Sequence, residues 1–179
     1  MSVLTIQRFG LLPLREGLAG LLTLAAVLPA GAQDLPVRKP GFWEIQIKSD
    51  QEPVMTSRQC IDAQTDARLQ KAGQGVMDGN CSKNVTQRQG SGWAGESVCT
   101  LGKTTITSRS TVTGDFGSEI RMTVDARYDP PLMGQAQSST TITQRFKGAC
   151  PAGWKPGDME LPGTNQRMNI NQMPGAKKP

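Results

Sequence analysis

Four cysteines, Cys60, Cys81, Cys99 and Cys150, all lie downstream of a stretch that reads as a cleavable export signal. An even cysteine count in an exported chain points to a disulfide frame, not to a metal site or a nucleophile. The signal has three parts: a basic start with Arg8 and Arg15, an apolar run from Gly17 to Leu28, and small residues at Ala30-Gly31-Ala32. The apolar run is shorter than the about 20 residues that a membrane-spanning helix needs. Cleavage after Ala32 leaves residues 33–179 as the mature chain and lowers the formal charge of +5 by one. The sequence therefore predicts a soluble periplasmic protein with residues 1–32 as signal peptide, 33–150 as one β domain and 151–179 as a Pro/Gly-rich tail whose end is disordered. A mild basic excess favours solubility but is not a nucleic-acid footprint. Aromatic residues make up 4% of the chain, so the core must be thin, and disulfides compensate for that in small exported domains.

The middle of the chain alternates with period two. From Ser118 to Tyr128 the even positions carry Ile120, Met122, Val124 and Ala126, while the odd ones carry Glu119, Arg121, Asp125 and Arg127. Such alternation is a strand with one buried and one wet face. Thr104 to Thr113 and Ser138 to Lys147 place Ile106, Val112, Ile142 and Phe146 on the same parity, and Gly114-Asp115-Phe116-Gly117 supplies a hairpin turn. Pro130-Pro131 is expected to stop the second of these strands. Upstream, Gly41 to Lys48 presents Trp43, Ile45 and Ile47 on one face, and a return strand runs from Val54 to Cys60. Asp62 then caps a short helix from Ala63 to about Ala72, with Gly73 as its stop. The expected fold is mainly β: a single curved antiparallel sheet or partly open barrel of about six to seven strands, with one short helix, stapled by disulfides.

Folding the segment from Cys81 to Cys99 about Gly90 puts Cys81 opposite Cys99, Val85 opposite Gly95 and Gln87 opposite Trp93. Opposed antiparallel residues lie within disulfide range. By elimination, Cys60 joins Cys150.

Three stretches carry a family resemblance: Pro40-Gly41-Phe42-Trp43-Glu44-Ile45, Cys60-Ile61 before the helix, and Lys147-Gly148-Ala149-Cys150-Pro151-Ala152-Gly153-Trp154 continuing to Met159. Together they resemble the small exported bacterial proteins grouped as domain of unknown function 3617, over roughly Arg38 to Met159. The resemblance implies an exported antiparallel β domain with no assigned activity, and so no functional residues to transfer. Asp62 stands where that pattern has Thr or a similar cap, which preserves capping.

Several apparent motifs dissolve in context. Gly90-Ser91-Gly92-Trp93-Ala94-Gly95 matches G-x-G-x-x-G, but no helix follows to hold a pyrophosphate. Asp115-Phe116-Gly117 copies a kinase triplet without a catalytic loop and reads as a turn. Asn84-Val85-Thr86 is a glycosylation sequon, expected to be bare in a bacterium. The chain has no histidine, which excludes Ser-His-Asp and Cys-His catalysis and His-bound metals, and no C-x-x-C. No cofactor and no metal are expected.

The favoured function is a non-catalytic exported module binding a small molecule, an envelope component or a partner protein, marked by a concave apolar pocket inside a curved sheet. The alternatives are a purely structural envelope protein and a carboxylate-dependent hydrolase, for which Asp125 and Asp129 are the nearest candidate pair. Pairing Val112 with Ser118 and Tyr128 with Ser138 would set Arg109, Arg121 and Arg145 in one row on the wet face. Opposed like charges of that kind would favour an anionic ligand, although the preferred reading lets these long side chains splay into water beside Glu119 and Asp125. Trp43, Trp93 and Trp154 serve either as core aromatics, the preferred reading, or as the lining of a cleft.

Overall fold

Period-two alternation of apolar and polar residues builds almost the whole molecule in the computed structural model, which describes residues 35–50, 52–78, 80–164 and 166–172. The elements are β1 (Gly41–Ser49), β2 (Met55–Ile61), α1 (Ala63–Asp78), β3 (Cys81–Gln89), β4 (Gly92–Leu101) and β5 (Thr104–Asp115). They continue with β6 (Glu119–Leu132), β7 (Gln135–Gly148), β8 (Asp158–Glu160), β9 (Arg167–Asn169) and a single 3-10 turn at Ile170–Gln172. All nine strands join one antiparallel sheet in the order β3-β4-β5-β6-β7-β1-β2-β8-β9, which does not close on itself. The signal segment and the last residues of the tail lie outside the described residues.

Strand parity decides which side chains meet. Trp43, Ile61, Trp93, Val112 and Ile120 form the buried core, with Phe116, Phe146, Met122, Leu69 and Leu35 packed around it. Trp43 is fully buried and meets Phe146 edge to face at 5.6 Å, and Trp93 meets Phe116 at 5.3 Å. These two tryptophans are core aromatics. Trp154 instead packs on Phe42 from the other face of the sheet, at 4.9 Å. Gly41, at φ +141°, allows β1 to approach β7 closely, since a Cβ there would collide with the Gly148 carbonyl oxygen.

Cys60 is bonded to Cys150 and Cys81 to Cys99. The hairpin that joins the second pair differs in register from the simple fold about Gly90. Gln89 pairs with Gly92 across the two-residue turn Gly90-Ser91, so Val85 faces Glu96 and Gln87 faces Ala94. That one-residue slip would separate the cysteines, but a bulge between Cys81 and Lys83 adds a residue and restores Cys81 to its place opposite Cys99.

Four other expectations are corrected. The helix continues through Gly73 to Asp78, because glycine permits a stop without compelling one. Strand β6 runs through Pro130 and Pro131, which occupy an irregular stretch between Arg127 and Leu132 where ladder bonding is interrupted anyway. The sheet gains β8 and β9 from the tail, three residues each and clear of Pro156 and Pro162, so the described residues form nine strands where about six to seven were expected. The β5–β6 turn leaves Asp115 opposite Glu119 and Val112 opposite Met122, which keeps the predicted faces but shifts every partner along the strand.

Asp62 caps α1, its Oδ1 accepting from the Thr65 backbone N–H at 2.7 Å. Hydrogen bonding to Thr65 holds the Asp62 carboxyl below its ordinary value of 3.8. A depressed folded-state pKa gives stability that is complete above the ordinary value and lost as pH falls through the lowered one. Asp62→Ala is therefore expected to destabilise the protein by about 1 kcal/mol at neutral pH. In urea titrations the gap from wild type should narrow below pH 4, and an undiminished gap at the lowest pH would count against the charged cap.

Candidate functional site

An open pocket of about 530 Å³ lies on the core-bearing inner face of the sheet, bordered by α1 and by the segment that precedes β1. Its composition follows from the register. Towards β6 and β7 the inward positions are Val112, Ile120, Met122 and Val124, with Phe116 at one end and Leu69 of α1 opposite. Towards the free edge of β3 the inward positions turn small and polar: Asn84 faces Ser97, which faces Ser108, and the next row is Thr86, Gly95 and Ser110. One wall is thus aliphatic, and the other offers hydroxyl and amide groups, with Glu96 beside them.

The pocket's charged lining is already neutralised. Arg38, 9% exposed, and Asp66, fully buried, join across 2.7 Å. Asp66 accepts from the Arg38 Nε and backbone N at 2.7 Å each, and from Gln70 Nε2 at 3.1 Å. Arg38 Nη1 donates to Gln144 Oε1, and Gln59 turns its amide oxygen to Nη2 at 2.9 Å, as a donor-only guanidinium requires. The guanidinium also lies 5.6 Å from the Trp43 ring centroid. These contacts tie α1 and the leading segment to β2 and β7, and fix the floor of the pocket. At the rim Glu96 pairs with Lys83 and with Arg109, and Lys83 first, then Arg109, holds its carboxyl below the usual range. A ligand in the pocket meets no uncompensated charge.

A model of the family described as Protein of unknown function (DUF3617) matches residues 38–150. The chain belongs to this family. The matched region of the DUF3617 protein begins at the buried Arg38 and ends at Cys150 of the long disulfide, so it contains nearly all of the pocket. No curated protein and no solved structure matches the chain.

In this DUF3617 protein the arginine row does not form. Arg109 stands opposite Asp125 and contacts Glu96 at 3.6 Å, while Arg121 stands opposite Thr113 and Thr143. Arg145 stands opposite Glu119, donating to it at 2.8 Å and to Gln46 at 3.1 Å. Arg121 and Arg145 still share a shallow groove on the outer face with Lys48 and Thr143, and Arg109 is not part of it. The difference arises because each hairpin turn is displaced by an even number of positions, which preserves faces while changing partners. Asp125 and Asp129 lie exposed on the outer face, opposite Arg109 and Thr105, and do not reach the pocket. Gly90 to Gly95 lies in the β3–β4 hairpin, and Asp115 receives the Gly117 N–H and the Ser118 hydroxyl at 2.8 Å each, so both glycine motifs are turns. Among the described residues no cluster of three or more His, Cys, Asp or Glu is placed to hold a metal.

Sequence reasoning missed the pocket's polar half and its charged floor. Ser108 and Ser110 between Ile106 and Val112 do carry a signal, a run of small hydroxyls on the core-facing parity. Arg38 and Asp66 carry none, being 28 positions apart in an irregular segment and a helix.

Proposed function

We propose that this protein is a non-catalytic exported binding module that holds a small uncharged amphiphile in the pocket of its curved sheet. The observation that carries this reading is the two-sided inner face. Aliphatic side chains at Val112, Met122 and Val124 match an apolar body, and the hydroxyls of Ser97, Ser108 and Ser110 match a hydrogen-bonding end. A charged ligand would be buried against groups already paired, without compensation. Two disulfides fit an oxidising compartment, and with the expected export signal they support a periplasmic location.

The test uses the neutral fluorophore N-phenyl-1-naphthylamine. Wild-type protein should enhance its emission saturably, and Ser108→Phe, which fills the pocket, should weaken binding at least about tenfold while leaving the melting temperature near wild type. Equal binding by the two proteins would place the probe elsewhere and remove the reading. Native mass spectrometry of protein purified from its own envelope should show a retained uncharged small molecule.

A further inference from the structure

Hydroxyls on neighbouring strands bond to each other elsewhere on this sheet. Thr111 and Thr123 do so at 2.6 Å on the outer face, and Tyr128 and Ser138 at 2.8 Å on the inner one. The polar wall of the pocket is different. Ser97 stands directly opposite Ser108, with Ser110 two residues further along β5, yet among the described residues none of the three hydroxyls has a hydrogen-bond partner. Ser97 is only 8% exposed. No sealed side-chain polar atom among the described residues lacks a partner, so these three hydroxyls open into the pocket that they line. Gly95 keeps the way clear: it stands opposite Ser110, where a Cβ would run into the Ser110 hydroxyl oxygen. Hydroxyls left unpartnered in a recess point to a ligand that supplies the bonds, since covering them without partners costs free energy.

The chemistry of the wall selects that ligand. A serine hydroxyl donates one hydrogen bond and has two lone pairs to accept others. An ester or ketone alone would take the hydrogens and leave the lone pairs unmet, whereas a ligand hydroxyl answers both. An anionic head would lie here without a free cation, because Arg38 is committed to Asp66, and Lys83 and Arg109 to Glu96. A cationic head would find both carboxylates taken by the same pairs. Spacing sets the number of groups. Opposed antiparallel residues are about 4.5 to 5.5 Å apart, and Ser110 lies about 7 Å along the strand from Ser108. One hydroxyl cannot serve that triangle, but two on adjacent carbons can, one between Ser97 and Ser108 and the other towards Ser110. Past Ser110 the surface turns apolar at Val112, with Val124 and Met122 facing Ser110 and Val112 from β6. That strip continues from the hydroxyls as one alkyl chain would.

We infer that the ligand of this pocket is a single-chain lipid with a neutral vicinal-diol head, of the monoacylglycerol type. Its diol bonds to Ser97, Ser108 and Ser110, and its chain lies along Val112, Met122 and Val124. The inference rests on the amphiphile reading and narrows it to one head group. Isothermal titration calorimetry of the mature protein with 1-monolauroylglycerol, methyl laurate and laurate, each below its micelle concentration, tests it without the fluorophore. The first two share an ester and a chain, and only the first carries the diol. Monolauroylglycerol should bind at least about tenfold more tightly than methyl laurate, with laurate weakest. Ser108→Ala with Ser110→Ala should weaken monolauroylglycerol about tenfold, while methyl laurate binding and the melting temperature stay near wild type. Equal binding of the two esters by wild type, tightest binding of laurate, or a double variant that keeps the preference would each overturn the inference. If the fluorophore still binds saturably in those cases, the amphiphile reading stands without the diol. Wild-type protein that binds neither the lipids nor the fluorophore would overturn both.

Discussion

Asp66→Ala is expected to lower stability by about 3 to 5 kcal/mol, because it leaves the Arg38 guanidinium charged, buried and without its counter-ion. The substitution removes three hydrogen bonds and the Arg38 Nη2 ion-pair contact from a fully buried carboxylate and loosens α1 from the segment before β1. Urea unfolding followed by tryptophan fluorescence measures it. The double variant Arg38→Met with Asp66→Leu should recover much of the loss, since replacing both charges removes the uncompensated one. A single-variant loss below about 1 kcal/mol would mean that water reaches the guanidinium. Loss of probe binding in the double variant, with stability retained, would show that the pair also shapes the pocket floor.

Removing the Cys60–Cys150 bridge by Cys60→Ser and Cys150→Ser should cost between about 4 and 5 kcal/mol, the loop-entropy value for so distant a pair. The Cys81–Cys99 bridge closes a shorter loop and should contribute about 3 kcal/mol. The two do not add, because the short loop is nested in the long one. The long bridge also has a local effect. Cys150 starts the segment that lays Trp154 on Phe42 and delivers β8 to β2, where Met159 faces Gln59. Its removal should therefore speed hydrogen exchange in residues 155–170 before global unfolding, whereas removing the short bridge should leave that segment protected. Equal exchange in both variants would separate the tail from the bridge.

Much of this architecture was legible in local chemistry. Alternation is a property of neighbouring residues, so Ile120, Met122 and Val124 announced their shared face, and the Asp62 cap announced where α1 begins. Partners were harder to read. A hairpin's faces depend only on whether its turn is odd or even, but its partners depend on the turn's length. Arg109 therefore met Asp125 instead of Arg121 while remaining on the predicted face. The cysteines were paired as the hairpin reading expects, through a turn and a bulge whose displacements offset one another.

The class of the fold, the parity of its strands, the disulfide frame and the lack of histidine chemistry all follow from local spacing or composition. Long-range packing set the rest: that Arg38 and Asp66 meet, that five small polar residues on three strands line one wall, and that Met133 stands 95% exposed at the β6–β7 turn. Those outcomes depend on sheet curvature and strand ends, which arise from contacts between segments far apart in the chain.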